Sequence, residues 1–204
     1  MMTTRDKASG LLILAGLAVL TVAALKPQVP FHPVTPTMKT AAGAATGRRV
    51  TSLEAVGPDG RSHAPATEAI DRPLVLIFIQ DGCPCSESAE PYFQALQAAY
   101  GARASFLGVI DGDLATARDW SARHGARHPI LADPDKRIIT ACEAERSAYV
   151  MLVAPGGAIA ELWPGYSAST LTEIGARLAR LTGLGEVPLA TEGAPTEMVS
   201  GCSF

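Results

Sequence analysis

The order of apolar and polar positions between residues 50 and 182 predicts an alternating series of strands and helices. Pro73 to Ile79 (PLVLIFI) is a continuous apolar run of β-forming residues, typical of a strand covered on both faces. Apolar positions 89, 92, 93, 96, 99 and 100 lie on one side of a predicted helix over 87–100. Further strands are predicted at 104–110, around 130–131, at 148–154 and at 158–163, and further helices at 114–124, 136–144 and 169–181. This order predicts an α/β domain in which a mixed sheet carries helices on both faces.

The amino-terminal segment predicts attachment to a membrane. Residues 8–25 (ASGLLILAGLAVLTVAAL) are uncharged and follow Arg5 and Lys7, and a helix of that length covers about 27 Å, close to the thickness of the hydrocarbon core. Val22-Ala23-Ala24 also fits a signal-peptide cleavage site, but the apolar run is long for a signal peptide. Residues 1–25 are therefore interpreted as a retained signal-anchor, a transmembrane helix in the inner membrane. With its cationic end in the cytoplasm, the remaining chain is expected on the extracytoplasmic, periplasmic side.

Two segments of different composition flank the predicted domain. Residues 26–49 carry four prolines in their first eleven positions and then mostly small residues, which indicates a linker that holds the domain away from the membrane. Residues 183–204 are rich in Gly, Pro, Thr and Glu, which predicts a flexible carboxy-terminal tail. That tail contains Cys202. The folded domain is expected over residues 50–182.

Composition excludes several classes of function. A chain of 204 residues with 48% hydrophobic residues can bury one sizeable core, which predicts a single domain of about 130 residues with additional segments. Its net charge is −3, and it has no basic stripe interleaved with aromatic residues, so nucleic-acid binding is not expected. Four cysteines are too few for a disulfide-stapled scaffold. No phosphate-binding loop, nucleophile elbow or zinc-protease motif is present, so no cofactor is predicted.

The stretch IQDGCPCS, residues 79–86, contains the candidate reactive thiol. Cys83 lies where the predicted strand gives way to a helix, and Pro84 fits the first position of that helix because its missing N–H costs nothing there. The backbone N–H groups of Cys85 and Ser86 are then expected to point at the Cys83 sulfur, and the helix dipole favours its thiolate. The turn at Asp81 is expected to leave the sulfur accessible. A lowered pKa and a nucleophilic role are predicted for Cys83.

Two cysteines are candidates for the partner of Cys83. A disulfide to Cys85 is possible only with strain, because residues two apart on a helix do not face each other, and such a bond would be a labile oxidant. Alternatively, Cys83 attacks the substrate and the distant Cys202 resolves the mixed disulfide. Cys142 follows Ile138 and Ile139 in an amphipathic stretch and is interpreted as a core residue.

The segment from Leu74 to Leu96, a strand followed by Asp-Gly-Cys83-Pro84 and a helix, resembles the active-site segment of thioredoxin-fold proteins. It is most similar to membrane-anchored redoxins related to the AhpC/TSA (alkyl hydroperoxide reductase/thiol-specific antioxidant) class. The similarity extends over residues 50–182 and includes 128–135 and 152–166. It implies a thioredoxin-like three-layer α/β/α domain, thiol–disulfide chemistry, and Cys83 in the position of the nucleophile.

The chain departs from thioredoxin and peroxiredoxin patterns at five positions around this segment. These are Ser86 in place of a second cysteine, Gly82 in place of tryptophan, Ile77 in place of a buried acid, Ala148 in place of the cis-proline that faces the sulfur, and Gln80 in place of the peroxide-binding threonine. These departures weigh against a general disulfide reductase and against an efficient peroxidase.

The leading expectation is a membrane-tethered, extracytoplasmic thiol–disulfide oxidoreductase that acts on a protein thiol or disulfide, or on a small-molecule oxidant. Cys83 attacks, and Cys85 or Cys202 resolves. A thiol peroxidase is one alternative. Another is a Cu(I)-binding module that uses Cys83 and Cys85 with Cys202 or with His124 and His128, although such histidines are more often solvated loop residues. A redox-inactive interaction domain is the third.

Overall fold

A computed structural model of the chain describes residues 32–204. The strands are β1 (His32–Pro33), β2 (Ala55–Val56), β3 (Ser62–His63), β4 (Leu74–Ile79), β5 (Ser105–Ile110), β6 (Ile130–Ala132), β7 (Val150–Val153), β8 (Ile159–Trp163) and β9 (Val199–Ser200). The helices are α1 (Pro36–Gly43), α2 (Pro65–Glu68), α3 (Pro84–Tyr100), α4 (Leu114–His124), α5 (Arg137–Ala141) and α6 (Ala168–Thr182).

Five strands form a central mixed sheet in the order β6-β5-β4-β7-β8. β4, β5 and β6 are parallel, whereas β7 is antiparallel to both of its neighbours, β4 and β8. All six residues of β4 are buried, as its uninterrupted apolar sequence predicts for a central strand. β2 and β3 form the small antiparallel hairpin that precedes the sheet.

Hydrophobic clusters on both faces of the sheet confirm the three-layer α/β/α arrangement. Alternate residues of β4 divide between the two clusters, because successive side chains of a strand point to opposite faces. One cluster contains Phe93 of α3, Trp120 of α4 and Leu178 of α6. The other contains Ala42 of α1 and Ile139 of α5. The predicted order of elements between residues 73 and 182 is confirmed.

One predicted boundary is wrong for a reason that matters to the site. The strand expected from residue 148 begins only at Val150. Ala148 has a φ of +60°, in the left-handed region that a strand residue cannot occupy. The backbone therefore turns sharply beside Ser147, which is fully buried next to the candidate reactive cysteine.

The described residues include only part of the amino-terminal region. The predicted transmembrane segment, residues 1–25, lies outside the described residues. Over residues 32–204, no helix is both long enough and apolar enough to span a bilayer. Within the expected linker, the described part differs from the prediction because it contains α1. That helix has local causes: Thr35 and Met38 form a reciprocal capping box, and proline occupies the first turn.

The carboxy-terminal tail, expected to be flexible, is fixed to the domain at its end. β9 pairs in antiparallel fashion with β1, and Val199 exchanges two backbone hydrogen bonds of 2.9 and 3.0 Å with Tyr166. Gly165 allows this approach: its φ is +153°, and a Cβ at that position would collide with the Val199 carbonyl oxygen. Sequence composition misses these contacts because they join residues distant in the chain.

We expect Gly165→Ala to release the end of the tail, since the new methyl group and the Val199 carbonyl cannot occupy the same space. Hydrogen exchange at the amides of Tyr166 and Val199 should accelerate by at least about tenfold, equivalent to about 1.4 kcal/mol of lost local stability. Gly185→Ala is the matched control, because a Cβ there meets nothing within 4 Å. Unchanged exchange in Gly165→Ala would show that the tail is not held by this close approach.

Candidate active site

Cys83 occupies the predicted position at the start of a helix. It is the N-cap residue of α3, and Pro84 is the first helical residue. β4 ends at Ile79, and the chain reaches the helix through a turn in which Gly82 has a φ of +69°. The strand–turn–helix arrangement around Cys83 is therefore the one that the sequence predicts.

The expectation that the Cys83 sulfur is open to solvent is wrong. The residue is only 2% exposed, because the end of the tail lies over it. The Cys202 sulfur is 3.3 Å from the Cys83 sulfur, and the Cys202 backbone N–H donates to the same sulfur at 3.4 Å. Cys202, one of the two candidate partners, therefore both covers the Cys83 sulfur and supplies a second thiol in contact with it.

Backbone pairing with Ser147 holds the tail in this place. The Gly201 N–H donates to the Ser147 carbonyl at 2.9 Å, and the Ser147 N–H donates to the Cys202 carbonyl at 3.0 Å. Gly201 cannot carry a side chain here, since a Cβ would overlap the Ser147 hydroxyl and reach within 3.1 Å of the Cys83 sulfur. Gln80 adds a side-chain hydrogen bond of 2.9 Å from its amide nitrogen to the Ser203 carbonyl.

Ser147 is the functional residue that sequence reasoning missed. Its hydroxyl donates to the Cys83 sulfur at 3.2 Å from a fully buried position. The sequence contained one indication of this contact. Ser147 directly precedes Ala148, which aligns with the cis-proline that faces the reactive sulfur in thioredoxins. Between residues 32 and 204 the peptide bonds are all trans. The left-handed Ala148, rather than a cis-proline, shapes this loop.

The surroundings of Cys83 favour its thiolate. Burial by itself raises the pKa of the Cys83 thiol, but hydrogen bonds from the Ser147 hydroxyl, the Cys202 N–H, the Ser86 N–H and the Cys202 thiol outweigh it and lower the pKa to about 7. The Cys83 sulfur makes no hydrogen bond of regular capping geometry with α3. The backbone N–H groups of that helix therefore lower the pKa of Cys83 less than the sequence predicts. The predicted direction of the pKa shift is confirmed, and its main source is the tertiary contact with Ser147 and the tail.

Cys85 has the opposite character. It is fully buried, and burial, the charge of Cys83 and the charge of Cys202 together raise the pKa of its thiol to about 12. At neutral pH it remains protonated, and its S–H is directed to the Cys83 sulfur. Its position suits a hydrogen-bond donor to the thiolate better than a resolving nucleophile.

Ser86 and Pro84 shape the start of the helix. The Ser86 hydroxyl is buried and accepts a hydrogen bond of 3.2 Å from the Gln80 N–H, which joins the end of β4 to the first turn of α3. The position that a second cysteine occupies in thioredoxins thus carries Ser86, whose hydroxyl makes a structural hydrogen bond.

Cys142 is buried in the cluster on the other face of the sheet, and burial raises the pKa of its thiol to about 12, which confirms its interpretation as a core residue.

The histidines considered as copper ligands do not join the cysteines. His128 precedes β6, at the end of the parallel strands opposite to the one where β4 leads into Cys83. His124 ends α4, and its carbonyl accepts a hydrogen bond of 2.7 Å from the Gln94 side chain in the middle of α3. The expectation that His128 is a solvated loop residue is wrong: it is 4% exposed, and burial lowers its pKa to about 4. In the described part of the chain, no three or more Cys, His, Asp or Glu residues are arranged to hold a metal ion.

We expect Ser147→Ala to raise the pKa of Cys83 by about one unit. A hydrogen bond to a charged group contributes about 1.5 to 3 kcal/mol, part of which the thiol form also gains, and one pKa unit corresponds to 1.36 kcal/mol. At pH 7 the thiolate fraction of the variant should therefore fall several-fold. The pH dependence of Cys83 alkylation, followed by mass spectrometry of its peptide, measures the shift.

The matched control for Ser147→Ala is Ser121→Ala, which removes a hydroxyl that bonds only the Ala117 carbonyl in α4. That variant should titrate as the unaltered protein does. An unchanged Cys83 titration in Ser147→Ala would refute the assignment of Ser147 as a donor to the thiolate.

Comparison with known proteins shows similarity to a family of redox proteins and to solved structures of the same fold. The sequence profile of the AhpC/TSA family matches residues 47–161, whereas none of the curated proteins compared with the chain matches it. Among solved structures, a secreted disulfide oxidoreductase of Mycobacterium tuberculosis homologous to E. coli DsbE matches with a TM-score of 0.55 at 19% identity, covering 64% of this chain and 96% of that chain.

Two peroxide-related proteins are similar to the same extent. The bacterioferritin comigratory protein of Xanthomonas campestris, whose structures address alkyl peroxide reduction, has a TM-score of 0.56 at 21% identity, with 68% of this chain and 95% of that chain covered. Peroxidoxin BcpB of Mycobacterium tuberculosis has a TM-score of 0.55 at 17% identity, with 69% and 98% covered. Such identities establish the fold. Because the family profile spans more than half of the sequence and includes Cys83, the chain belongs to the AhpC/TSA family of thioredoxin-fold redox enzymes.

Proposed function

We propose that this protein is a membrane-tethered, extracytoplasmic thiol–disulfide oxidoreductase in which Cys83 is the attacking thiolate and Cys202 the resolving thiol. The observation that carries the proposal is the contact of 3.3 Å between their sulfurs, at a cysteine whose pKa is lowered to about 7. Family membership and the thioredoxin-like fold support the class of chemistry.

The reaction has two exchange steps. The Cys83 thiolate attacks one sulfur of a substrate disulfide, forms a mixed disulfide with it, and releases the other sulfur as a thiolate that takes up a proton. Cys202 then loses its proton and attacks the Cys83 sulfur, which expels the remaining substrate sulfur as a second thiolate. The substrate is reduced by two electrons, and the protein is left with a Cys83–Cys202 disulfide. An external dithiol must reduce this bond to complete the cycle.

The described conformation suits the second step and not the first step with a large substrate, because the tail covers Cys83. With the tail in place, Cys83 is 2% exposed, and a protein disulfide cannot reach its sulfur. The first step with a large substrate therefore needs the tail to leave, and the second step needs it to return. Residues 199–203 are held mainly by backbone hydrogen bonds to Tyr166, Ser147 and β1, which a mobile segment can break and form again.

A thiol peroxidase is a second candidate, favoured by the family assignment and by the thiolate at Cys83. In that reaction the thiolate attacks a peroxide oxygen, an alcohol or water leaves, and Cys202 displaces water from the resulting sulfenic acid. Gln80 occupies the position of the peroxide-binding threonine, and its amide bonds the tail instead. We rank disulfide exchange first because the residue that would position a peroxide is replaced.

The extracytoplasmic location rests on residues 8–25, which are long and apolar enough to enter a membrane, and on the positive charges before them. An oxidising compartment suits a site built around two adjacent thiols. A reporter enzyme that is active only outside the cytoplasm, fused after Phe204, would show activity if this placement is right and none if the domain faces the cytoplasm.

We expect the unaltered protein, treated with one molar equivalent of a small disulfide, to end with a Cys83–Cys202 disulfide. Cys202→Ser should stop at the mixed disulfide on Cys83, and Cys83→Ser should lose at least about a hundredfold in rate, because only the thiolate is an efficient nucleophile. Peptide mapping by mass spectrometry identifies the products, and the same variants treated with hydrogen peroxide test the second candidate.

Cys142→Ser is the matched control, since it removes a buried thiol that does not contact the site. Its product should be the same as that of the unaltered protein. A Cys83–Cys85 disulfide as the main product would transfer the resolving role to Cys85. A Cys83 that stays unmodified by both the disulfide and the peroxide would contradict a redox function.

A further inference from the structure

Arg146 lies beside the resolving cysteine and has no role in the chemistry described so far. It precedes Ser147 in the chain, and its guanidinium Nη1 donates to the Gly201 carbonyl at 3.2 Å. Its backbone also forms an antiparallel bridge with Ser203. Arg146 therefore contacts the tail on both sides of Cys202.

The charge of Arg146 is not used elsewhere in the described part of the chain. The arginines with ion pairs there are Arg48, Arg123 and Arg177, each of which lies within salt-bridge distance of Asp or Glu side chains. Arg146 has no such carboxylate partner between residues 32 and 204. Its half-buried guanidinium therefore presents an unneutralised positive charge to the tail.

The titratable groups that face Cys202 come from two elements. Cys83 and Cys85 approach it from the start of α3, and Arg146 approaches it from the loop before β7. In the reduced state the hydrogen bond to Cys83, burial and the Cys83 charge raise the pKa of the Cys202 thiol, while Arg146 lowers it. With Cys83 as the thiolate, Cys202 keeps its proton and cannot act as a nucleophile.

Conversion of Cys83 to a mixed disulfide changes this balance. Its sulfur then has no negative charge, so it no longer opposes ionisation of Cys202, and the thiolate of Cys202 is left facing the guanidinium of Arg146. We propose that Arg146 is a positioning residue for the resolving step, which holds the Gly201 carbonyl and stabilises the Cys202 thiolate only after Cys83 has reacted. This inference rests on the proposed function, because it needs Cys202 as the resolving thiol.

The order of events follows from charge alone. While Cys83 is ionised, a second thiolate 3.3 Å away is strongly disfavoured, so Cys202 stays a thiol and covers the nucleophile. When the substrate sulfur has bonded to Cys83, Cys202 gives its proton to solvent and attacks the Cys83 sulfur. The Cys83–Cys202 bond forms, the bond between Cys83 and the substrate breaks, and the substrate thiolate leaves. Arg146 thereby stabilises the Cys202 thiolate only once Cys83 has formed the mixed disulfide.

A single-turnover experiment separates the two steps. The reduced full-length protein is mixed with one molar equivalent of 4,4′-dithiodipyridine, an uncharged disulfide, and release of thiopyridone is followed by absorbance across a range of pH. The first thiopyridone reports attack by Cys83, and the second reports resolution by Cys202. An uncharged reagent removes any direct attraction between Arg146 and the substrate.

We expect Arg146→Gln to leave the first phase nearly unchanged and to slow the second about threefold at pH 7. Loss of the charge raises the pKa of Cys202, and the smaller thiolate fraction outweighs the greater nucleophilicity of the more basic thiolate. At a pH above both pKa values the order should reverse. There the variant should resolve about threefold faster than the unaltered protein, since a more basic thiolate is the better nucleophile. Arg146→Lys should restore most of the rate at pH 7, because it keeps the positive charge.

Arg180→Gln is the matched control, since it removes one exposed positive charge from α6, away from the cysteines. It should leave both phases unchanged. Equal slowing of the second phase at every pH, without rescue by Arg146→Lys, would overturn the proposal and show that Arg146 only packs the tail. An unchanged second phase in Arg146→Gln would also overturn it. Absence of a second phase, or a product without a Cys83–Cys202 disulfide, in the unaltered protein would instead refute the proposed function.

Discussion

The candidate site depends on the backbone pairing between the end of the tail and the loop at Ser147. The two hydrogen bonds that Ser147 exchanges with Gly201 and Cys202 bring the Cys202 sulfur to 3.3 Å from the Cys83 sulfur. They also exclude solvent from Cys83 and direct an amide N–H at its sulfur. Without this pairing, Cys83 would be an exposed cysteine at the start of a helix, and no second thiol outside the helix would be within reach.

Burial and activation, which usually oppose each other for a thiol, are combined at Cys83 because the groups that cover the sulfur are themselves hydrogen-bond donors. An apolar cover would raise the pKa of the thiol, as it does for Cys142. Here Ser147 and Cys202 lower it despite burial. The same cover hides the Cys83 sulfur while it is in place, so in the proposed reaction a large substrate can reach Cys83 only when Cys202 moves away.

The two ends of the described chain meet at this site. His32 and Pro33 pair with Ser200 and Val199, so the strand that leads into the domain contacts the strand that leads to Cys202. Tyr166 pairs with Val199 on the other side of the tail. The tail is thus a short strand between two neighbours, which explains how six residues without a helix or a core of their own keep a fixed position.

The sequence by itself determined the local structure of the site. The apolar run of β4, the proline at the start of α3 and the place of Cys83 between them follow from short-range rules, because strand burial and helix capping depend on residues close in the chain. The order of the strands and helices between residues 73 and 182 followed from periodicity for the same reason. The resemblance to thioredoxin-fold redoxins rested on these local features and is confirmed.

Only the tertiary structure decided what surrounds the sulfur. Ser147 and Cys202 are 64 and 119 residues from Cys83 in the chain, and no periodicity or spacing specifies contacts over such distances. The composition of the tail predicted mobility, yet its last residues are ordered by pairing with strands formed elsewhere. The left-handed turn at Ala148 likewise depends on its tertiary surroundings. Local sequence therefore determined the position of Cys83 at the start of α3, whereas long-range packing determined which groups contact its sulfur, cover it and lower its pKa.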